Sequence, residues 1–242
     1  MARPVKEIFS IKRLTAADLR AGGAELIGTM LLVFIGAGAI VTTRSINPDL
    51  TLAKLLVIGL AFGITVTIVV AGLGSISGAH INPAVTIAAW VTKKIGLTRG
   101  LVYLVAQVAG GIIGTLLIVI LVPVDGGDLG ATTLGQGMGV GGGYLVEVIL
   151  TFTLVLVIFG TAMNRGGPLP VAPLVIGLTI TADHLVGLPL TGISLNPARS
   201  LGPAIFSSEW THHWIYWAGP ITGGLIAAVL YEKLLVGPPT EE

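Results

Sequence analysis

The sequence contains no cysteine and few charged residues for its length. None of its 242 residues is Cys, which excludes disulfide bonds, thiol catalysis and metal sites with cysteine ligands. Only 10% are Asp, Glu, Lys or Arg, whereas soluble domains carry about a quarter. The net charge of +1 gives no indication of a nucleic-acid partner, and we expect none. The composition is not that of a soluble domain.

The sequence instead contains long runs of apolar residues. Hydrophobic residues make up 53% of the chain, and one helix needs about 20 apolar residues to cross a hydrocarbon core of about 30 Å. Six stretches meet this requirement, near 21–43, 54–73, 101–122, 143–163, 171–190 and 213–235. Their interior charges are chiefly Glu25, Glu147 and Asp183. The sequence predicts an all-α membrane protein with six transmembrane helices in a lipid bilayer.

The basic residues are distributed unevenly between the two sides of the predicted membrane. Most of them share one side when the chain is threaded through six spans: Arg3, Lys6, Lys12, Arg13, Arg20, Lys93, Lys94, Arg99, Arg165 and Lys233. The opposite side holds Arg44 and Lys54, and its longest loop, 123–142, contains Asp125 and Asp128 but no Lys or Arg. The positive-inside rule therefore predicts a multi-pass protein of the cell membrane with both termini in the cytoplasm.

The chain consists of two related halves. The segment "AELIGTMLLVF", which contains Glu25, corresponds to "VEVILTFTLVL", which contains Glu147, and in each a Thr follows the Glu by four residues. Three spans per half is an odd number, so the second half enters the membrane from the opposite side and the repeat is inverted. We expect an N-terminal segment at 1–20, repeats at 21–122 and 143–235, a Gly-rich extracellular loop at 123–142 and a C-terminal tail at 236–242. The N-terminal segment is expected to be either a short amphipathic helix or partly disordered. The apolar run that follows it is too long for the hydrophobic region of a cleaved signal peptide.

Each half also contains Asn-Pro-Ala in an apolar context, in "SGAHINPAVT" and "TGISLNPARS". Asn is a favoured N-cap, and Pro is favoured at the first helical position, so a helix is expected to begin at each triplet. The first apolar segment lasts from Asn82 to Lys93, which is about half the thickness of a bilayer core. The preceding segments, "GLGSISGAHI" and "VGLPLTGISL", are rich in Gly, Ser and Pro, which predicts loops that dip into the membrane.

The spacing from Glu to Asn differs between the halves. Glu25 precedes Asn82 by 57 positions, whereas Glu147 precedes Asn196 by 49. We expect the difference to come from a shorter loop between the fourth and fifth spans. In an inverted repeat the two half-helices meet end to end, so that Asn82 and Asn196 face each other and mark the centre of a pore.

The two Asn-Pro-Ala boxes in inverted halves resemble those of the aquaporin, or major intrinsic protein, family. The resemblance covers residues 21–235 and implies a homotetramer with one water-filled pore in each subunit. It implies pore-centre triplets at Asn82, Pro83, Ala84, Asn196, Pro197 and Ala198. It also implies a ladder of backbone carbonyls that accept hydrogen bonds from water, at Gly78, Ala79, His80, Gly192, Ile193 and Ser194.

The same resemblance implies a narrow selectivity filter toward the outer side of the pore. Its four residues are Phe62, His184, Ile193 and Arg199. A buried guanidinium is costly in a membrane, which favours a functional role for Arg199. Many water-selective members have a small or polar residue where this chain has Ile193, so we expect that wall of the filter to be apolar and bulky. The pattern at other diagnostic positions is that of water channels: Ser200, Ala204, Tyr216 and Trp217.

Three acidic residues lie within the predicted spans. Glu25 and Glu147 are either a proton relay or supports for the dipping loops, and the symmetry of the repeat favours carboxylates that accept loop N–H groups. Asp183 has no counterpart in the other half. It is about 100° around a helix from His184, so we expect it to face another helix near the outer surface.

Two alternatives to a water channel remain at this stage. A related channel would pass glycerol, urea, ammonia or hydrogen peroxide. An ion-coupled transporter would also use broken helices in an inverted repeat, but it would need charged ligands at the midplane, where this sequence offers two neutral Asn. An enzyme is not expected, because no nucleophile–base pair appears, and neither a metal site nor a cofactor is predicted.

The missing cysteine leads to a prediction about inhibition. Mercurials often block members of this family through a thiol near the constriction, and this chain has none. We therefore expect mercuric chloride, at concentrations that modify thiols, to leave the osmotic water permeability of reconstituted vesicles unchanged. Strong block that a thiol reductant reverses would contradict this chemistry.

Overall fold

The computed structural model describes residues 11–123, 127–164 and 166–236, and all regular structure within these ranges is helical. The predictions made for Arg3, Lys6, Asp125, Arg165 and the tail at 237–242 lie outside the described residues. The helices are α1 (Ala16–Ile46), α2 (Leu52–Ser77), α3 (Pro83–Val91), α4 (Leu97–Leu121), α5 (Val140–Ile158), α6 (Ala172–Thr191), α7 (Pro197–Ser207) and α8 (Ile215–Leu230). A π-helical turn at Phe159–Met163 extends α5, a 3₁₀ turn at Leu169–Val171 precedes α6, and a second π-helical turn at Tyr231–Leu235 extends α8.

Six of these helices are long and apolar enough to cross a membrane, which confirms the predicted spans. Several extend beyond the apolar runs because polar residues cap their ends. The helix α1, for example, begins at a capping box in which Thr15 and Asp18 bond reciprocally. The short helices α3 and α7 are the two predicted half-helices, with Asn82 and Asn196 as N-caps and Pro at the first helical position.

The packing of the helices repeats in the two halves. The helix α1 packs against α4, and in the same way α5 packs against α8. The two halves contact each other where α2 packs against α6. A Cβ atom built on Gly63 would lie 2.5 Å from the carbonyl oxygen of Gly177, and one built on Gly177 would collide with the carbonyl of Gly63. Such a reciprocal contact is expected in an inverted repeat, because equivalent positions of the two halves face each other.

Glycine permits the closest helix contacts, at Gly110, Gly114 and Gly223. A Cβ atom on Gly114 would lie 2.6 Å from the carbonyl oxygen of Met30, and Gly110 and Gly223 meet backbone carbonyls in the same manner. Small residues at such positions let two helix backbones approach in a membrane. The adjacent Gly224 has more space, because the nearest neighbour of a Cβ atom built there would be 3.4 Å away.

The predicted loops before the two Asn-Pro-Ala triplets are too long. The helix α2 continues to Ser77 and α6 continues to Thr191, with Pro189 inside it. The loops are therefore confined to 78–82 and 192–196, and each begins at a left-handed glycine, Gly78 (φ 89°) or Gly192 (φ 68°). The physical reason is that backbone groups in a hydrocarbon layer need partners, so the helix persists through weak helix formers for as long as it can.

The explanation of the unequal Glu-to-Asn spacing is wrong as well. In the first half the two spans contain 31 and 26 residues, whereas the corresponding spans of the second half contain 24 and 23. The connections between them are of similar length. The second spacing is shorter because the helices are shorter, and not because of the loop.

Candidate pore and constriction

The two half-helices begin at asparagines whose side chains bond in two directions. The Oδ1 atom of Asn82 accepts a hydrogen bond from the N–H of Ala84 at 2.8 Å, and that of Asn196 accepts one from Ala198 at 3.0 Å. The Nδ2 atom of each Asn donates across the molecular centre, from Asn82 to the carbonyl of Leu195 and from Asn196 to that of Ile81, at 2.7 Å in both cases. A side-chain amide has two N–H hydrogens, so each Asn keeps a second donor hydrogen.

The loops that lead to these asparagines have the same irregular backbone in both halves. Positive φ angles occur at Ala79 (45°) and Ile81 (44°) in one loop and at Ile193 (42°) and Leu195 (55°) in the other. Such angles cost free energy for non-glycine residues and persist only where the surroundings hold them. The loops therefore need strong support from the rest of the protein.

Two fully buried glutamates bond to these loops. The carboxylate of Glu25 accepts hydrogen bonds from the backbone N–H groups of His80 (2.9 Å) and Ile81 (2.5 Å), and also from the side chains of Ser77 and Gln107. The carboxylate of Glu147 accepts from the N–H groups of Ser194 (2.9 Å) and Leu195 (3.0 Å), and from the hydroxyl of Thr191. Both oxygens of each carboxylate thus accept hydrogen bonds from a loop.

A cavity of about 120 Å³ lies between the half-helices. Its polar lining consists mainly of loop residues that the sequence singled out: Gly78, Ala79, His80, Asn82, Ser194 and Asn196. The rest is mostly aliphatic and includes Leu32, Val66, Val85, Leu154, Ile176 and Ile180. Gly192, which was expected on the same carbonyl ladder, instead lines a separate cavity with Arg44 and Asp128.

Phe62, His184 and Arg199 come together in the lining of the central cavity. The rings of Phe62 and His184 are stacked with their centroids 4.3 Å apart, and the Cζ atom of Arg199 lies 5.1 Å from the centroid of the Phe62 ring. Each of the three side chains is 2% exposed or less. The three side chains form one cluster, named here the constriction after the role expected from the sequence, and the guanidinium of Arg199 makes a cation–π contact with the Phe62 ring.

The constriction offers both a hydrogen-bond acceptor and hydrogen-bond donors. The Nδ1 atom of His184 lies 2.8 Å from the carbonyl oxygen of Ile180. Because a carbonyl can only accept, Nδ1 carries the hydrogen and the Nε2 atom of the neutral ring is an acceptor. Neither that Nε2 atom nor the Nε and Nη2 atoms of Arg199 have a hydrogen-bond partner among the described residues. One acceptor and two donor nitrogens are therefore left for a small polar molecule.

Ile193 does not join the other three expected filter residues. Its side chain is fully buried and lies against α6, where a Cβ atom on Gly187 would come within 2.7 Å of its Cδ1 atom. The residue is not among those that line the central cavity. Asp183, next to His184, is only 4% exposed, so its side chain lies inside the helix bundle.

Sequence reasoning missed the loop that holds Arg199. The Nη1 atom of Arg199 donates to the carbonyl oxygen of Gly130 at 2.7 Å, and Gly130 has a left-handed φ of 75°. The carboxylate of Asp128 accepts a hydrogen bond from the N–H of Gly130 at 3.2 Å and forms an ion pair with Arg44. The available signal was the local Asp-Leu-Gly turn, in which an Asp bonds to the backbone two residues later.

Comparison with known proteins agrees with this architecture. A family model described as "Major intrinsic protein" matches residues 12–231. The chain belongs to this family. It is 40% identical over 228 residues to a probable aquaporin of TIP type from Medicago truncatula, covering 93% of this chain and 90% of that protein. It is also 40% identical to aquaporin-4 from Mus musculus, covering 90% of this chain and 68% of that protein.

The fold matches that of a solved family structure. The X-ray structure of the aquaglyceroporin from Plasmodium falciparum superposes with a TM-score of 0.77 at 26% identity, covering 90% of this chain and 97% of that one. Members of the major intrinsic protein family are membrane channels for small solutes, and not enzymes. The chain is accordingly a multi-pass membrane protein of a channel family.

The carboxylate bonds to the loops generate a testable prediction. In Glu147→Gln, one carboxylate oxygen becomes an NH₂ donor, so at least one loop N–H loses its acceptor in a buried place. An orphaned buried group costs about 1–3 kcal/mol, and we expect a lower unfolding temperature for Glu147→Gln and for Glu25→Gln in detergent. Thermal unfolding followed by tryptophan fluorescence measures this. Glu209→Gln, in the exposed connection between α7 and α8, is the control, and Gln variants as stable as the parent chain would contradict the argument.

Proposed function

We propose that this member of the family is a passive water channel that excludes protons and ions. The observation that carries the proposal is the constriction, in which one acceptor nitrogen of His184 and two donor nitrogens of Arg199 lack protein partners. A water molecule both donates and accepts, so it can replace its lost hydrogen bonds there. Phe62 is the apolar wall of this filter, and Asn82 and Asn196 supply the donors at the pore centre.

Exclusion of cations follows from the charges around the cavity. The helices α3 and α7 both begin at the cavity, and the N-terminus of a helix carries a positive partial charge. Arg199 adds a full positive charge, and no Asp or Glu is found among the described residues that line the central cavity. Water at the centre turns its oxygen toward the two Asn donors, which is the arrangement that opposes proton passage in pores of this type.

Exclusion of larger solutes follows from the shape and polarity of the same site. The stacked rings of Phe62 and His184 occupy one side of the constriction. A polyol would leave hydroxyl groups against aliphatic walls, and each lost partner costs about 1–3 kcal/mol. Two of the residues that follow the water-channel pattern are bonded at the loop: the Ser200 hydroxyl donates to Ser194 at 2.7 Å, and the Tyr216 hydroxyl donates to the Thr191 carbonyl at 3.0 Å.

A second candidate function is a channel for glycerol or another small neutral solute, such as urea, ammonia or hydrogen peroxide. One observation favours it: the Ile193 side chain lies against α6 and is not among the described residues that line the central cavity, so it adds no bulk beside Phe62. The similarity in fold to an aquaglyceroporin points the same way. The stacked aromatic pair beside Arg199 favours water.

The setting of the channel is part of the proposal. The distribution of Lys and Arg supports a cell-membrane protein with both termini in the cytoplasm. Resemblance to the family supports a homotetramer with one pore in each subunit. The domain boundaries expected from the sequence, with repeats at 21–122 and 143–235, remain predictions.

Passive flow through a pore is directly measurable. Vesicles containing the protein should shrink in hyperosmotic sucrose with a low activation energy, because water that keeps its hydrogen bonds crosses no high barrier. The rate, measured by stopped-flow light scattering, should not change when proton and sodium gradients are collapsed. Permeability that disappears with either gradient would contradict a channel and favour a carrier.

The selectivity of the filter is tested by substitution. His184→Gly removes one ring of the stacked pair, so glycerol re-swelling should become faster by roughly tenfold or more, the change that about 1.4 kcal/mol corresponds to, with water flow largely retained. Arg199→Val removes the fixed positive charge and should chiefly increase proton and cation leak. The matched controls are His212→Gly, in an exposed connection, and Arg20→Val, on the surface of α1. Fast glycerol re-swelling in the parent chain that His184→Gly leaves unchanged would defeat this filter assignment.

A further inference from the structure

A basic cavity lies where α1 and α4 begin. It has a volume of about 250 Å³ and is lined by four cationic side chains, those of Lys12, Arg13, Lys94 and Arg99, and by one acidic side chain, that of Asp18. Asp18 pairs with Arg99 at 2.9 Å, and Lys94 pairs with Glu232 at 2.7 Å. Arg13 has no ion-pair partner in the described part of the chain. The cavity therefore has an excess of positive charge.

An apolar groove follows the same two helices. It has a volume of about 510 Å³. Small residues line it at Gly22, Gly23, Ala106 and Ala109, and the larger side chains along it include Leu19 and Val105. Leu19 and Val105 are 59% and 72% exposed, so the groove opens to the outside of the helix bundle. It extends for about two helical turns, or roughly 11 Å.

The basic cavity and the groove are consecutive because α1 and α4 run side by side in the same direction. At their starts the N–H of Lys12 donates to the hydroxyl of Thr98 at 2.7 Å, and Asp18 pairs with Arg99. Two turns further, Gly110 meets Leu26. The cavity ends at Asp18 and Arg99, and the groove begins at Leu19 and Leu101. The basic cavity thus continues directly into the apolar groove along a membrane span.

We propose that these two features form one binding site for an anionic phospholipid. The phosphate of the headgroup occupies the basic cavity beside Arg13, and one acyl chain occupies the groove over Gly23. Basic residues at the end of a membrane span attract anionic lipid headgroups, and only an amphiphile satisfies both parts of the site. Neither residue belongs to the pore, so the proposal is independent of the permeant.

The charge of the basic cavity and the shape of the groove distinguish an anionic phospholipid from two alternative occupants. A free phosphate ion would use the basic cavity alone and leave the groove without a role. A second copy of the chain would cover the groove, but it would need acidic groups opposite Arg13. A phospholipid with a net negative charge matches the charge of the cavity and the polarity of the groove together.

The first experiment measures retained lipid by native mass spectrometry of the full-length chain. The probes are phosphatidylglycerol, phosphatidylcholine with the same acyl chains, and inorganic phosphate as a competitor. We expect preferential retention of phosphatidylglycerol and a loss of about fivefold in its affinity in Arg13→Gln, since one basic residue contributes about that factor near an anionic headgroup. Arg20→Gln removes the same charge from an exposed position on α1, outside the site, and should have little effect.

The groove has its own pair of variants. A Cβ atom on Gly23 or on Gly72 would meet nothing within 4 Å, so both positions accept a larger side chain, but only Gly23 lines the groove. Gly23→Leu should reduce retention of phosphatidylglycerol, and Gly72→Leu should not. Equal effects of Arg13→Gln and Arg20→Gln, an unaffected Gly23→Leu variant, or displacement of the lipid signal by inorganic phosphate would each overturn the proposal.

A second experiment identifies the occupant directly. The absence of cysteine makes Val105→Cys a unique attachment point for a benzophenone label at the edge of the groove. Photolysis in vesicles that contain phosphatidylglycerol should give a product with the mass of one chain plus one lipid. A product made of two chains would show that a second copy covers the groove, and the absence of a lipid adduct would show that the groove is not a lipid site.

Discussion

Non-helical backbone inside a hydrocarbon layer must find its hydrogen-bond partners within the protein, and the rest of this structure depends on how two buried glutamates meet that requirement. Glu25 and Glu147 each accept two consecutive loop N–H groups. These bonds offset the cost of the left-handed residues at Ala79 and Ile193. Only with the loops held in this form do the half-helices begin inside the protein, with their N-termini at a common cavity.

The two loops also depend on each other. The amide of Asn82 bonds to the loop of the second half, and that of Asn196 bonds to the loop of the first. A single half would leave these donors and carbonyls unpaired in a buried place, which is costly. The reciprocal contact of Gly63 and Gly177 brings α2 and α6 close enough for the loops to meet. The central cavity is therefore a property of the pair of repeats and is present in neither half alone.

The sequence predicted those features that local chemistry determines. Apolar run length predicted the six spans, and the capping preferences of Asn and Pro predicted α3 and α7. Local propensity failed where membrane burial overrode it, because α2 and α6 continue through Gly- and Pro-containing segments to Ser77 and Thr191. Local propensity also could not show that the side chain of Ile193 lies against α6, because Ile193 has a positive φ angle that a β-branched residue disfavours. The contact of Arg199 with Gly130 joins residues 69 positions apart, and no local pattern specifies it.

The desolvation of Arg199 connects the fold to the proposed function. A buried cation is costly unless its donors are bonded, yet the protein supplies one carbonyl, from Gly130, and one aromatic face, from Phe62. The Nε and Nη2 atoms have no partner among the described residues. A small polar molecule that enters the constriction therefore supplies the hydrogen-bond acceptors that these two nitrogens lack. A polar molecule that fits beside Phe62 and His184 accepts hydrogen bonds from these nitrogens as it passes through. A cation, by contrast, is repelled by the positive charge of Arg199.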